Sequence, residues 1–399
     1  MSDYWLEAGS FLLRWLHVIA AIAWIGESFY FVMLDRALKP PKDGAPGVFG
    51  ELWSVHGGGF YHKRKYLVAP PALPDELHWS MWKSYTTWLS GFALFALMYL
   101  TAPGLYLIDP AVAPLTPLQA VALSLSFLFA GWLVYHALCK AVGLRDGVLG
   151  GAVLVLVVLM SYAACALFSG RGAFLLVGAT LATIMSANVL FVIIPGQRRM
   201  VAALRRGETP DPLPGRHGKQ RSVHNTYFTL PVVFAMLSTH YAPAYAHPHN
   251  WLVLLLFMLA GALIRHFFVL WHSGGRAWGL LVLGGALLLG ALAWIAPPRP
   301  ARAERAAIAV LDAAQAVRAA VDTTAVHAIL TERCAGCHSA QPKLMPFAPK
   351  GAMFDTLEQI EAQALSIHQQ TVVLKIMPPG NLTQMTDDER ALIDRWVRK

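Results

Sequence analysis

The chain has 399 residues, of which 56% are hydrophobic and only 14% are charged. This composition is too apolar for a soluble globular domain and predicts several membrane spans. The formal net charge of +9 is concentrated in the apolar part, where orientation in the bilayer explains it more simply than an anionic partner does. The sequence contains no nucleic-acid-binding motif, so we expect the lipid bilayer, and no nucleic acid, as a partner.

Eight apolar runs approach or exceed the roughly 20 residues that cross a hydrocarbon core of about 30 Å. They cover 8–34, 84–108, 117–139, 148–168, 172–194, 224–243, 250–272 and 277–296. The predicted fold is therefore all-α. It consists of a polytopic eight-helix transmembrane bundle over residues 1–296, a periplasmic linker over 297–322 and a small domain over 323–399.

The connections between these runs differ in their content of Lys and Arg. Nearly all such residues fall in the connections 35–83, 140–147, 195–223 and 273–277. The positive-inside rule places these four connections in the cytoplasm of a bacterial inner membrane, and the N-terminus and the C-terminal domain in the periplasm. The Arg-rich segment 198–221 is interpreted as a solvated loop that enforces this orientation.

The first predicted span carries three ionisable residues, Arg14, His17 and Glu27. Ionisable side chains are costly in hydrocarbon, so each is a candidate functional residue. At about 100° per residue they share one broad face with Trp24 and Ser28, and this face should point towards other helices. The alternative is a structural ion pair, or an Arg side chain that reaches the membrane surface.

The first cytoplasmic connection contains the run HGGGFYHKRKY at 56–66. Glycines let a backbone approach a ligand closely, and the cationic side chains beside them suit a planar anion. We therefore predict a substrate-binding role for His62. The alternative is a basic segment beside the membrane that only fixes orientation.

A CxxCH motif near the C-terminus is formed by Cys334, Cys337 and His338. It predicts the covalent attachment of one c-type haem, with both thiols bonded to the porphyrin and the imidazole as proximal iron ligand. A zinc or redox site is the alternative. The motif predicts a small class I-like cytochrome c domain over 323–399.

The distal iron ligand of this domain is predicted to be Met377, because it precedes two prolines in an extended loop before a final helix. A capping box at Thr386 and Glu389 predicts where that helix begins. The competing methionines are Met345, Met353 and Met385.

Histidines of the membrane part fall on both predicted sides of the bilayer. Electrons that reach the outer haem from a substrate near the cytoplasm need an intermediate carrier, since direct transfer over about 30 Å of hydrocarbon would be very slow. We predict b-type haem held by His17 with His240 on the outer side and by His136 with His266 on the inner side. For any single histidine, a hydrogen-bonded structural role is the alternative.

Together these motifs resemble the bacterial membrane-bound urate hydroxylases, which are urate oxidases with a C-terminal cytochrome c domain. The resemblance covers essentially the whole chain. It rests on WLHV at 15–18, WIGE at 24–27, HGGGFY at 56–61, SVHNTYFTLP at 222–231 and the CAGCH motif. The first span is also similar to a haem-binding helix of a protoporphyrinogen oxidase family, which favours His17 as a haem ligand.

The resemblance implies hydroxylation of urate to 5-hydroxyisourate, with water as the oxygen source. It also implies that electrons leave through the haem to a respiratory cytochrome oxidase or a soluble cytochrome c. It assigns no residue of the urate site, so our candidates rest on physical grounds: Glu27 and His224 are the predicted catalytic bases. The predicted substrate-binding residues are Arg14, His62, Asn225 and Thr226. The alternative functions are a non-catalytic cytochrome that relays electrons from a separate dehydrogenase, and a haem-dependent porphyrinogen oxidase.

Overall fold

The computed structural model describes residues 2–296, 323–345 and 348–397. Within these ranges the chain is mostly helical, and its only strands form one hairpin. The linker predicted for 297–322 lies outside the described residues.

Helices make up most of the apolar part. They are α1 (Ser2–Ala37), α2 (Trp82–Phe95), α3 (Pro103–Tyr106), α4 (Pro117–Val142), α5 (Asp146–Leu167), α6 (Gly170–Asn188), α7 (Ile194–Arg205), α8 (Leu213–Ser238), α9 (Ala242–Tyr245), α10 (Asn250–Trp271) and α11 (Trp278–Trp294). Single π-helical turns extend α2 through Ala96–Leu100 and join α6 to α7 through Val189–Ile193. A helix lies at each of the eight apolar runs.

Among the described residues, five helical segments are long and apolar enough to cross a membrane. They are Ala8–Ala37, Pro117–Val142, Asp146–Leu167, Gly170–Arg205 and Asn250–Trp271. The other three long helices fall short for different reasons: α2 is short before its π turn, α11 is short, and α8 begins with several charged residues. The bundle of eight spans therefore stays a prediction.

The core of the apolar part is built around α6, which packs against α4, α5 and α8. Its buried side chains include Phe174, Leu181 and Ile184. Gly178 allows α8 to come close, since an added Cβ there would lie 2.6 Å from the Cβ of Ala235. Small residues at such contacts let helix backbones approach each other within membranes. α1 lies at the periphery, packs mainly on α2 and exposes much of its apolar surface.

An antiparallel hairpin of β1 (Val48–His56) and β2 (Gly59–Tyr66) follows α1, with His56 opposite Gly59. Its turn consists of Gly57 and Gly58, whose φ angles are +57° and +81°. A two-residue hairpin turn of this kind needs positive φ at both positions, which glycine adopts without strain. The prediction of an entirely helical fold is wrong at this segment.

The C-terminal residues form a separate helical unit with its own buried core, which includes Val326, Leu330, Ile393 and Trp396. Its helices are α12 (Thr323–Arg333), α13 (Leu357–Ala362), α14 (Ala364–His368) and α15 (Asp387–Val397), with 3₁₀ turns at Pro349–Gly351 and Pro379–Asn381 and a π turn at Gln369–Val373. The predicted capping box is confirmed at the start of α15, because the Glu389 amide donates to Thr386 Oγ1 and the Thr386 amide donates to the Glu389 carboxylate.

Candidate functional site

The segment Cys334–His338 forms a tight turn directly after α12. Both cysteines are free thiols, and Cys334 is buried. His338 Nδ1 donates to the carbonyl oxygen of Ala352 at 2.9 Å, and its ring stacks on Phe354. Since a carbonyl oxygen can only accept, Nδ1 carries the proton and Nε2 keeps its lone pair. This is the tautomer of an imidazole that binds a metal through Nε2.

Burial favours the neutral forms of the titratable side chains in this segment. It raises the pKa of the Cys334 thiol to about 12 and also raises the pKa of Cys337. Burial lowers the pKa of His338, and the hydrogen bond to Ala352 offsets this only in part. The imidazole is therefore neutral at pH 7, as a metal ligand must be. Among the described residues, no group of three or more His, Cys, Asp or Glu side chains is arranged to hold a metal ion.

Met377 lies in the loop before α15, where the backbone is fixed from two sides. Its amide donates to the carbonyl of Gln370 at 3.1 Å, and Arg390 Nη1 donates to its carbonyl at 2.9 Å. Gly380, in the same loop, lies against the connection that follows α3: an added Cβ would be 2.7 Å from the carbonyl oxygen of Ile108. The Met377 loop thus contacts the apolar part. Of the competing methionines, Met385 is buried in the core of the C-terminal unit.

His17 faces α2, as the helical periodicity predicted for its side of the first span. Its Nδ1 lies 3.0 Å from the carbonyl oxygen of Thr87 and 3.1 Å from Ser90 Oγ. Gly91 leaves space for the ring, since an added Cβ would lie 2.8 Å from His17 Cε1. The Thr87 carbonyl requires a proton on Nδ1, so His17 has the same tautomer as His338 and a free Nε2.

The other two candidate residues of α1, Glu27 and Arg14, contact the start of α2 and the π turn that follows α2. Glu27 accepts a hydrogen bond from Ser80 and forms an ion pair with Lys83 at 2.9 Å. Arg14 Nη2 lies 3.2 Å from Met98 Sδ. Glu27 therefore has a structural ion-pair partner, and that partner is Lys83 rather than Arg14. The catalytic role of Glu27 and the substrate-binding role of Arg14 stay predictions.

Within the hairpin, the side chain of His62 contacts residues of the opposite strand, β1. His62 Nε2 bonds the Glu51 carboxylate at 2.9 Å, and the His62 ring stacks on Trp53 with centroids 4.2 Å apart. The cations of β2 also have partners within the protein. These are Lys63 with Ser54, Arg64 with Asp43 and Lys65 with Asp35. Carboxylates thus compensate the charges of Arg64 and Lys65, whereas Lys63 has a neutral hydroxyl as its partner. Substrate binding by His62 stays a prediction.

A buried hydrogen-bond network surrounds His224. Tyr135 Oη lies 2.8 Å from His224 Nδ1 and accepts from Asn188 Nδ2 at 3.1 Å. Asn188 Nδ2 also donates to Asn225 Oδ1 at 3.0 Å, and Asn188 Oδ1 accepts from Arg221 Nη1 at 3.3 Å. These bonds can all be made together when Arg221 donates to Asn188, and Asn188 in turn donates to Tyr135 and Asn225. Tyr135 then donates to His224, which leaves that imidazole neutral with its proton on Nε2.

A cavity of about 590 Å³ lies beside this network, between α4, α7, the π turn before α7 and the start of α8. Apolar side chains, including Phe191, form part of its wall. Its polar and charged lining residues are His136, Lys140, Arg199, Asp211, His217 and Arg221. Three cationic side chains face one carboxylate, so the lining suits an anion.

The remaining candidate residues have different contacts from one another. Thr226 Oγ1 bonds the Ser222 carbonyl of its own helix, and His266 Nδ1 bonds Tyr227 Oη at 2.6 Å. His136 lines the cavity with a buried Nδ1 that has no partner, whereas His240 lies just after α8. Within the described residues, neither predicted pair, His17 with His240 or His136 with His266, shares a hydrogen-bond partner or a ring contact. Both pairings stay predictions.

Sequence reasoning missed most of the residues around the cavity, although it named His136 as a haem ligand. The interpretation of 198–221 as a loop is wrong, because most of this segment belongs to α7 and the first turns of α8. Five of its six arginines are exposed, as predicted, but Arg221 is only 4% exposed. The available signal was helical spacing: Arg221 precedes His224 by three residues and so shares its face of α8. Nothing in the sequence indicated that Asn188 and Tyr135 would meet this face.

Comparison with known proteins gives one result. Residues 3–296 match the model of a protein family described as urate oxidase N-terminal. No curated protein and no solved structure matches the chain. The matched range contains every helix of the apolar part, the hairpin and the cavity, and it ends before the C-terminal unit. The chain therefore belongs to the urate oxidase N-terminal family.

Proposed function

We propose that the protein is a membrane-bound urate hydroxylase that forms 5-hydroxyisourate and passes the electrons to a c-type haem on its C-terminal unit. A respiratory cytochrome oxidase or a soluble cytochrome c then takes the electrons. One observation carries the proposal: a urate oxidase N-terminal region is followed in the same chain by a CxxCH segment whose imidazole has the ligand tautomer. A urate-oxidising region without a redox partner would have no reason to carry that segment.

The residues of the C-terminal unit fit such a haem. Cys334 and Cys337 are free thiols that would hold the porphyrin, and His338 presents an unprotonated Nε2. Met377 is the proposed distal ligand, and its backbone is fixed by Arg390 and Gln370. When bound, the haem supplies one-electron transfer at a potential that a thioether ligand raises.

The proposed reaction balances with water as the only other reactant. Urate and water give 5-hydroxyisourate, two protons and two electrons, so the protein has to accept protons as well as electrons. His224 is the proposed base, because the surrounding network favours its neutral form and a base has to be unprotonated before it accepts a proton. Glu27 is the second proposed base, and its carboxylate contacts Ser80 and Lys83.

Electrons have to cross most of the apolar part under this proposal. The cavity lies at the C-terminal end of α4, and the C-terminal unit contacts Ile108 near the N-terminal end of α4. The 26 residues of α4 rise about 39 Å at about 1.5 Å per residue. We propose b-type haem as the carrier, with His17 as its best-supported ligand because of its free Nε2. His240, His136 and His266 are the other proposed ligands.

The test is the anaerobic addition of urate to the purified, oxidised protein. We expect reduction of the c-haem absorption band and formation of 5-hydroxyisourate, with two haem equivalents reduced per urate. A protein that dithionite reduces but urate does not would contradict the proposed function and favour a relay cytochrome. Pyridine haemochrome spectra would count the b-type haems, and a pure c-type spectrum would contradict the proposed carrier.

Contact between the C-terminal unit and the apolar part should matter for this transfer. Gly380→Val would place side-chain atoms against the Ile108 carbonyl, so we expect at least a tenfold slower reduction by urate, measured by stopped-flow absorbance, with unchanged haem content. An energy cost of about 1.4 kcal/mol in the docked state is enough for tenfold. Gly351→Val is the matched control, since Gly351 also has positive φ but no neighbour within 4 Å. Equal rates in the two variants would contradict a role for this contact.

A further inference from the structure

The lining of the cavity beside α4 includes a buried guanidinium group, and the protein does not use all of its hydrogen-bond donors. Arg221 is 4% exposed, and its Nε has no hydrogen-bond partner. A buried guanidinium group with an unused donor is costly, because the lost hydration is not replaced. Such a group within a membrane protein is therefore a candidate ligand-binding group.

Two neighbours hold the Arg221 guanidinium in one orientation. Its Nη1 donates to Asn188 Oδ1 at 3.3 Å, and its Cζ lies 4.9 Å from the centre of the Tyr135 ring. Nη1 is thus occupied, while the edge formed by Nε and Nη2 is not held by Asn188. This edge is a planar pair of donors, which matches two acceptors that lie side by side in one plane.

The rest of the cavity selects for a flat anion. Lys140 and Arg199 add positive charge at the wall, against the single carboxylate of Asp211. Phe191 also lines the cavity and offers an aromatic face on which a purine ring can stack. A volume of about 590 Å³ falls within the range of about 300–1,000 Å³ that is usual for small-molecule sites.

We propose that this cavity is the urate site and that Arg221 binds an edge of the purine anion through Nε and Nη2. This inference rests on the proposed function and assigns its substrate site to residues other than Glu27, His62 and Arg14. Asn188 and Tyr135 are positioning residues that fix the guanidinium plane. Arg199 and Lys140 supply charge that draws the anion into the cavity. His224 lies behind Tyr135 and is reached through the network rather than by direct contact.

The test compares two adjacent arginines of α7. Arg199 lines the cavity, whereas Arg198 lies over the ring of Trp79 and near Met81. Both variants, Arg199→Gln and Arg198→Gln, remove one exposed positive charge from the same helix. We expect Arg199→Gln to raise the urate concentration for half-maximal haem reduction about two- to fivefold, and Arg198→Gln to leave it unchanged.

Arg221→Lys keeps the charge but loses the planar pair of donors. We expect it to weaken urate binding by about 10- to 100-fold, because it removes a charge-assisted, two-point contact. Binding is measured by equilibrium dialysis of labelled urate against dithionite-reduced protein, which cannot turn over. Covalent haem content and elution as a single species verify that the variant folds. If Arg221→Lys does not fold, the Arg199→Gln variant provides the test instead.

A wrong proposed function and a wrong assignment of the urate site would give different experimental results. If urate does not reduce the wild-type protein but dithionite does, the proposed function is wrong. If urate reduces the wild-type protein, and Arg199→Gln and Arg221→Lys bind urate as well as Arg198→Gln does, the assignment of the cavity is wrong and the proposed function stands.

Discussion

Replacement of Cys334 and Cys337 by alanine should yield a chain that still inserts in the membrane but carries no covalently bound c-type haem. Both thiols are free, Cys334 at the start and Cys337 at the end of the turn that follows α12, and each is needed for one bond to the porphyrin. We expect complete loss of the haem-dependent peroxidase stain on a denaturing gel. Reduction of a c-haem band by urate should be lost as well.

Cys165→Ala is the control for this double replacement. It removes another buried free thiol, but from α5 in the apolar part. The covalent haem stain and the reduction by urate should both persist in this variant. Covalent haem in the protein without Cys334 and Cys337 would contradict the assignment of the motif.

The second large effect is expected at Asn188, the centre of the buried network. Asn188→Leu removes the acceptor for Arg221 and the donor to Tyr135 and Asn225. Buried polar groups that lose their partners each cost about 1–3 kcal/mol, and charged groups cost more. We therefore expect a loss of about 3 kcal/mol or more in the free energy of unfolding, measured by thermal or denaturant unfolding in detergent.

Thr180→Val is the matched control on α6. Thr180 is also fully buried, but its hydroxyl only bonds the Leu176 carbonyl of the same helix. Its replacement should cost about 1 kcal/mol. Similar losses for Asn188→Leu and Thr180→Val would mean that the network contributes little beyond ordinary helix packing.

Much of the helical framework could be predicted from the sequence, because its signals are local. A long apolar run indicates a membrane helix, and a capping box indicates a helix start, as at Thr386 and Glu389. The hairpin at 48–66 was missed although Gly57 and Gly58 lie at its turn. The glycines were interpreted as positions at which the backbone approaches a ligand closely, whereas two of them form the turn between the strands.

The environment of the site depends on contacts between distant residues, which periodicity does not report. His224 was identified from its sequence context, but its partners Tyr135 and Asn188 come from α4 and α6. Arg221 was assigned to a solvated loop because charge in a connection usually marks orientation. The Arg221 guanidinium reaches Asn188 only because α8 packs against α6.

The placement of the cavity and the C-terminal unit near opposite ends of α4 has a bioenergetic consequence. If the Lys- and Arg-rich connections face the cytoplasm, as the sequence predicts, and urate binds in the cavity, as proposed, each electron released from urate would travel towards the positive side of the membrane. That movement gains about 2.3 kcal/mol per electron for every 100 mV of membrane potential. Two electrons per urate would thus draw on the membrane potential, so that a polarised membrane adds to the driving force for urate oxidation and depolarisation removes that contribution.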